Sequence, residues 1–171
     1  EQAEAAAHGR YREALSRGQF LEKLKQEYEG YSQGVKNLMR EIHRQPMRFR
    51  GILGTLAELI EIPQAYEKAM EAALGGALQN VVVQADEDAK EAIALLRTKK
   101  MGRVSFMPLQ SLKVRSLSAK EEGLLQPGMQ RADLVVQCSE EVRTAVAFLL
   151  ARTVIVKDMS RLGRNYLQVG M

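Results

Sequence analysis

LEKLKQEYEGYSQGVKNLMREIHRQP, residues 21–46, carries an apolar residue on every heptad position it offers: Leu21, Leu24, Tyr28, Tyr31, Val35, Leu38 and Ile42. The spacings alternate between three and four without a slip. That stripe is the a/d seam of a coiled coil, narrower than the apolar face of most globular helices. Gly30 and Gly34 lie off the seam, each at a cost of about 1 kcal/mol relative to Ala in a helix interior. Gln45-Pro46 ends or kinks the helix, because proline clashes with the preceding turn and disfavours the helical conformation of the residue before it. From Gly51 onward the periodicity becomes mixed. A coiled coil delivered into a globular module describes a junction that joins arms, dimerises or caps a rod.

Working back from the seam, residues 1–20 are Ala-rich, with Gly9 and Gly18 interrupting a weakly specified helix. Nothing there has the basic then apolar pattern of a signal peptide. The chain reads as a segment of a longer protein. Its 171 residues are 46% hydrophobic and 27% charged, enough for one core plus a helical extension. With no Trp and 5% aromatics, that core is aliphatic. No apolar run approaches the roughly 18 residues of a membrane span. A single cysteine, Cys138, excludes an internal disulfide and fits a reducing cytoplasm.

Working forward, Ile52-Leu53-Gly54-Thr55-Leu56 is a hydrophobic stretch and Pro63 suits a first helical turn. Ala65, Ala69, Met70, Ala73 and Leu74 fall at helical spacing, and Gly75-Gly76 follows as a C-cap. Val81-Val82-Val83 reads as a buried strand. Asp86 is a plausible N-cap for a helix through Leu96. Arg103-Val104-Ser105-Phe106, introduced by Gly102, reads as a short strand ended by Pro108. Leu134-Val135-Val136 is a third strand, residues 139–150 a helix, and Thr153-Val154-Ile155-Val156 a fourth strand. The helix–break–strand unit at residues 69–86 is echoed at residues 145–158, which points to two related subdomains, although any two such units share this much by chance.

Charge is segregated. Residues 56–91 hold eight acids against Lys68 and Lys90, whereas residues 92–120 hold no acid and carry Arg97, Lys99, Lys100, Arg103, Lys113, Arg115 and Lys120. Arg48 and Arg50 crowd the helix exit. Such a stretch can neutralise phosphates and release counterions, or it can be a solvated face paired with acids elsewhere. Catalytic groups are sparse. His8 and His43 have no partner at a useful spacing, and Cys138 reads as a structural thiol. No Cys/His set has metal-ligand spacing, and neither a Walker A loop nor a dinucleotide fingerprint is present. Gly75-Gly76 follows a helix, the wrong place for a phosphate loop. Asp86-Glu87-Asp88 complements a helix dipole. No catalytic residue, metal or cofactor is expected.

In order, five segments resemble the hinge domain of bacterial SMC chromosome-partition proteins. They are Tyr31-Ser32-Gln33-Gly34-Val35-Lys36; Gly51-Ile52-Leu53-Gly54-Thr55-Leu56-Ala57-Glu58-Leu59-Ile60; residues 66–83; Gly102-Arg103-Val104-Ser105-Phe106-Met107-Pro108-Leu109; and Thr153-Val154-Ile155-Val156-Lys157-Asp158. The resemblance covers roughly residues 20–159 and implies an α+β fold of two pseudo-repeated helix/strand subdomains, preceded by a coiled-coil arm helix. The implied arm is residues 1–46. The implied hinge is residues 47–171, divided near 112 and incomplete at its carboxyl end. Residues 160–171 depart from the family's further strand and glycine-rich segment, and Ala151 stands where the family often has glycine.

The resemblance further implies a non-catalytic module of a chromosome condensation and segregation ATPase whose ATP site lies in separate head domains. Expected partners are a second hinge, the returning arm of the same chain, and DNA bound without sequence preference; the expected location is the cytoplasmic nucleoid. Arg97, Lys99, Lys100, Arg103, Lys113, Arg115, Arg48 and Arg50 are the DNA candidates. Gly102, Arg103, Val104, Ser105 and Phe106 are the dimer candidates, because a short glycine-containing edge strand can pair with another chain. Competing expectations are an RNA- or ribosome-associated α/β module with a coiled-coil arm, and a purely structural oligomerisation domain. Phe106 is the single aromatic in the basic window, poor provision for stacking RNA bases.

Overall fold

The computed structural model describes residues 31–156. In chain order its main elements are α1 (Gln33–Arg44), β1 (Ile52–Thr55), α2 (Leu56–Leu59), β2 (Ile60–Glu61), α3 (Glu67–Leu74), β3 (Val81–Val83), α4 (Asp86–Thr98), β4 (Phe106–Pro108), α5 (Ala119–Glu122), β5 (Met129–Arg131), β6 (Gln137–Cys138), α6 (Arg143–Leu150) and β7 (Val154–Val156). Single 3₁₀ turns lie between several of them. The fold is α+β. No helix among the described residues is long and apolar enough to cross a membrane.

Two compact units are present, and they interleave along the chain. Among the described residues the first comprises 31–59 and 76–110, the second 60–75 and 111–156. The sequence suggested an arm ending at residue 46 and one cut near residue 112. The structure instead places α1 in the first unit and residues 60–75 in the second. The reason is local pairing: β2 is antiparallel to β6, and α3 packs on α6, so both find their partners in the second unit.

In the first unit a three-stranded sheet runs β1-β3-β4, with β1 antiparallel and β4 parallel to β3. Val81, Val82 and Val83 are fully buried, as a continuous β-branched run in a central strand demands. The register of β1 slips between Ile52 and Gly54, where Gly54 adopts φ +142°, a value that L side chains rarely take. Leu38, Val81, Val83, Ala89, Ala92 and Leu96 form the core, with Ile42, Ile52, Met101, Val104 and Phe106 packed against it. Ala89, Ala92 and Leu96 share one face of α4, which opens one residue from the expected cap: the Asp88 carboxylate accepts the Ala85 N–H at 2.9 Å.

The seam residues Leu21, Leu24 and Tyr28 lie outside the described residues. Of the others, Tyr31, Val35 and Leu38 are buried and Ile42 is half-buried. Leu38 and Ile42 pack into the core of the first unit. The seam reading expected these positions to face a partner helix. Over α1 the globular domain itself covers the stripe.

In the second unit β5 pairs antiparallel with β7, and the apolar faces of α3 (Met70, Leu74) and α6 (Ala145, Val146, Leu150) are buried. Gly75 closes α3 at φ +46°, as the sequence suggested. Chain order strengthens the internal echo. Strand, short helical turn, strand, 3₁₀ turn, eight-residue helix and strand occur from β1 to β3 and again from β5 to β7, the first series with an extra 3₁₀ turn (Gly75–Gln79) before its last strand.

Two strand expectations shift. Residues 132–134 form a 3₁₀ turn and the strand follows at Gln137–Cys138. Arg131 grips Asp133 at 2.7 Å, while Arg143 Nη1 donates to the carbonyls of Asp133 at 3.3 Å and Val136 at 3.0 Å. These bonds hold a turn and leave Leu134 exposed. Likewise Gly102, Arg103, Val104 and Ser105 lie outside the sheet, and β4 begins only at Phe106.

Candidate nucleic-acid interface

The basic loop is built by the end of α4. Met101 N–H donates to Leu96 O at 2.9 Å and Lys100 N–H to Arg97 O at 3.2 Å. These are the paired bonds of a Schellman motif, with Lys100 in the left-handed position at φ +51°. Met101, the next residue, packs on the core as that motif's hydrophobic contact.

Beyond this cap the chain lies along α1 as a strap. Lys99 Nζ meets Glu41 Oε2 at 2.9 Å, Asn37 Nδ2 donates to Met101 O at 3.1 Å, and Ser32 Oγ donates to Arg103 O at a long 3.4 Å. The partners Glu41, Asn37 and Ser32 fall four and five residues apart, about one helical turn each, so alternate residues of the strap meet successive turns of α1 and its cap. Gly34 and Gly102 permit the approach. A Cβ on Gly34 would stand 2.3 Å from the Arg103 carbonyl oxygen, and one on Gly102 would stand 3.1 Å from Gly34 Cα.

The candidate cations divide into engaged and free. Lys99 is held by the buried Glu41, which also contacts Arg44 at 3.2 Å and Gln45 at 3.4 Å. The Lys99 hydrogen bond and charge, then Arg44, hold the Glu41 carboxyl below its ordinary pKa, against burial that pushes it up. Arg48 pairs with Glu91 at 2.7 Å and lies over the Phe49 ring at 5.1 Å. Arg50 Nη2 sits 3.3 Å from Met47 Sδ. Arg97, Lys100 and Arg103 are exposed, and among the described residues their side chains have no hydrogen-bond or ion-pair partner. Lys113 and Arg115 are exposed in the same way, but they belong to the second unit, so the continuous basic window of the sequence divides between the units after residue 110.

For the dimer candidates, Ser105 O accepts the Val81 N–H at 2.9 Å, and Val104 and Phe106 pack on the core. β4 bonds only to β3 and is the terminal strand of its sheet among the described residues. Elsewhere His43 Nδ1 donates to Met39 O at 2.8 Å, and burial pushes the Cys138 thiol upward, away from a reactive thiolate. Sequence reasoning missed Glu41, Asn37 and Gly34 as supports of the basic loop; the off-seam glycine was the one visible signal.

Comparison with known proteins agrees with this architecture. The family model for the SMC proteins Flexible Hinge Domain matches residues 49–161. A chromosome partition protein Smc of Desulfitobacterium hafniense is 35% identical over 141 residues, which are 81% of this chain and 12% of that protein. The SMC hinge domain of Geobacillus stearothermophilus, solved as an asymmetric dimer, superposes with a TM-score of 0.72 at 37% identity, covering 94% of this chain and 64% of that one. The Pyrococcus furiosus Smc hinge domain with an extended coiled coil gives 0.56 at 31% identity, covering 87% of this chain and 56% of that one. The chain belongs to the SMC flexible hinge domain family.

Proposed function

We propose that this chain is the hinge module of a chromosome-partition ATPase, that it pairs with a second hinge, joins coiled-coil arms, and holds DNA by its backbone without reading sequence. On this reading the ATPase activity belongs to head domains elsewhere in the parent protein, and the module works on the nucleoid in the cytoplasm. The observation that carries the DNA part is the set of free cations at the end of α4: Arg97, Lys100 and Arg103 are exposed and unpartnered among the described residues. A cation with no acid partner keeps its full charge for a phosphate. Lys99, Arg48 and Arg50 have partners within the fold and are secondary contacts. Lys113 and Arg115 would extend the field from the second unit. The dimer contact is placed at Gly102, Arg103, Val104, Ser105 and Phe106, and the terminal position of β4 supports Phe106 alone among them.

The test is fluorescence anisotropy with a short mixed-sequence DNA duplex across a salt series. Wild type is expected to bind with an affinity that falls steeply with salt, by a log–log slope of about −0.9 per phosphate contact. The triple variant Arg97→Glu, Lys100→Glu, Arg103→Glu is expected to lose at least about tenfold in affinity and about three units of slope. Equal binding by the triple variant at moderate salt would show the basic loop to be a solvated face. Stronger competition by a structured RNA than by DNA would favour the RNA-associated reading.

A further inference from the structure

α1 opens at a point where its heptad repeat gives no reason to open. The 3–4 spacing runs unbroken from Leu21 to Ile42. Yet Tyr31 sits in a bend, Ser32 is extended at φ −52° and ψ 141°, and the helix begins only at Gln33. No proline lies between Leu21 and Gln45. Ser32 stands at the N-cap, but its side chain accepts no bond from the first turn, so ordinary capping does not stop the helix. Two tertiary contacts within the first unit do. The Ser32 N–H donates to Gln79 Oε1 at 3.0 Å, and the Ser32 hydroxyl donates to the Arg103 carbonyl at 3.4 Å. In a continuous helix that N–H would go to the carbonyl four residues earlier. On the other side of the break nothing would change, since the Lys36 N–H already donates to the Ser32 carbonyl at 3.3 Å.

We propose that Tyr31-Ser32 is a two-position joint at the root of the arm; this rests on the reading of the seam as a coiled-coil arm. Seated, Ser32 is pinned to Gln79 and Arg103 and the helix is broken. Released, one helix runs across the joint. The exchange is close to balanced, because the Ser32 N–H trades a side-chain acceptor for a main-chain one. No seam residue changes face either. Tyr31 is buried when seated, and in a continuous helix it stays in line with Val35 and Leu38. Both acceptors sit on fixed backbone. Gln79 ends the 3₁₀ turn that leads into the buried β3, and Arg103 follows Met101, whose carbonyl accepts from Asn37 at 3.1 Å. Seated, the arm and α1 are separate rods, and strain on the arm stops at Ser32. Released, they turn as one, and the direction of the arm is passed to Leu38 and Ile42 in the core. Two contacts are enough to choose between the states.

The experiment measures the distance between spin labels on Glu22→Cys and Arg40→Cys by pulsed electron paramagnetic resonance, in the full chain carrying Cys138→Ser. The two positions are 18 residues apart, five helical turns, so in a continuous helix the labelled α-carbons stand about 27 Å apart. With the joint otherwise native, the main population is expected at a different distance, because Ser32 is seated. Ser32→Ala with Gln79→Leu removes both pins. It is expected to raise the population near 27 Å, relative to the seated one, at least about fivefold, the factor set by one ordinary net hydrogen bond. Gln33→Pro is expected to remove that population and to unfold at the wild-type urea concentration, since the first helical position accepts proline and a helix interior does not. If the distribution is sharp and identical with the native joint and in both variants, the break is a fixed part of the fold and the proposal is overturned. A single broad distribution in all three would instead overturn the arm reading on which the proposal rests.

Discussion

Gly34 shows what a single residue contributes to the joint between helix and strap. As a glycine in a helix it costs about 1 kcal/mol against alanine, which looks like an error in an otherwise regular seam. The contact explains it, since a methyl group there would lie 2.3 Å from backbone that cannot swing aside. Gly34→Ala is therefore expected to be destabilising by about 1 kcal/mol or more: the gain in helix propensity is outweighed by overpacking, which typically costs about 1–3 kcal/mol. Urea denaturation checks this, and a stabilised variant would show that the close approach is not what keeps glycine there. The basic residues were legible at this scale by type and window. Which of them are free was not legible, because the acids that engage Lys99 and Arg48 lie 58 and 43 positions away in sequence.

Among the elements, α1 has a double character. A 3–4 apolar repeat is a subset of any amphipathic helical stripe, so the same residues can face a partner helix or a sheet. Leu38 is fully buried beside Val81 and Val83. Leu38→Ala is expected to destabilise the first unit by about 2–5 kcal/mol. A cooperative denaturation curve unchanged from wild type would instead mean that this position serves only an arm. The misplaced strands have one cause between them: short apolar runs at residues 103–106 and 134–136 looked extended in isolation. Gly102 at φ +102° and the bonds that Arg143 makes to two carbonyls decide otherwise. The triple valine and the helix opened by Asp86-Glu87-Asp88, whose signals are local, were read correctly; the heptad helix was not, because Tyr31 sits in a bend and α1 starts only at Gln33 after the extended Ser32.

For the whole molecule, the hinge assignment predicts self-association. Light scattering on this chain and on one extended past Met171 through the family's glycine-rich segment is the direct measurement. The extended chain is expected to run at twice its monomer mass, and a monomer in both cases would sink the hinge-dimer proposal. The aliphatic core, the helix–strand echo and the family itself followed from the sequence alone, because periodicity, glycine placement and motif order are properties of neighbouring residues. Only the tertiary structure decided that residues 60–75 join the second unit, that the end of the heptad seam is core, and that Arg97, Lys100 and Arg103 are the uncommitted cations. Each of those depends on pairing between residues far apart in the chain, where burial and charge neutralisation choose among partners that the local pattern leaves equivalent.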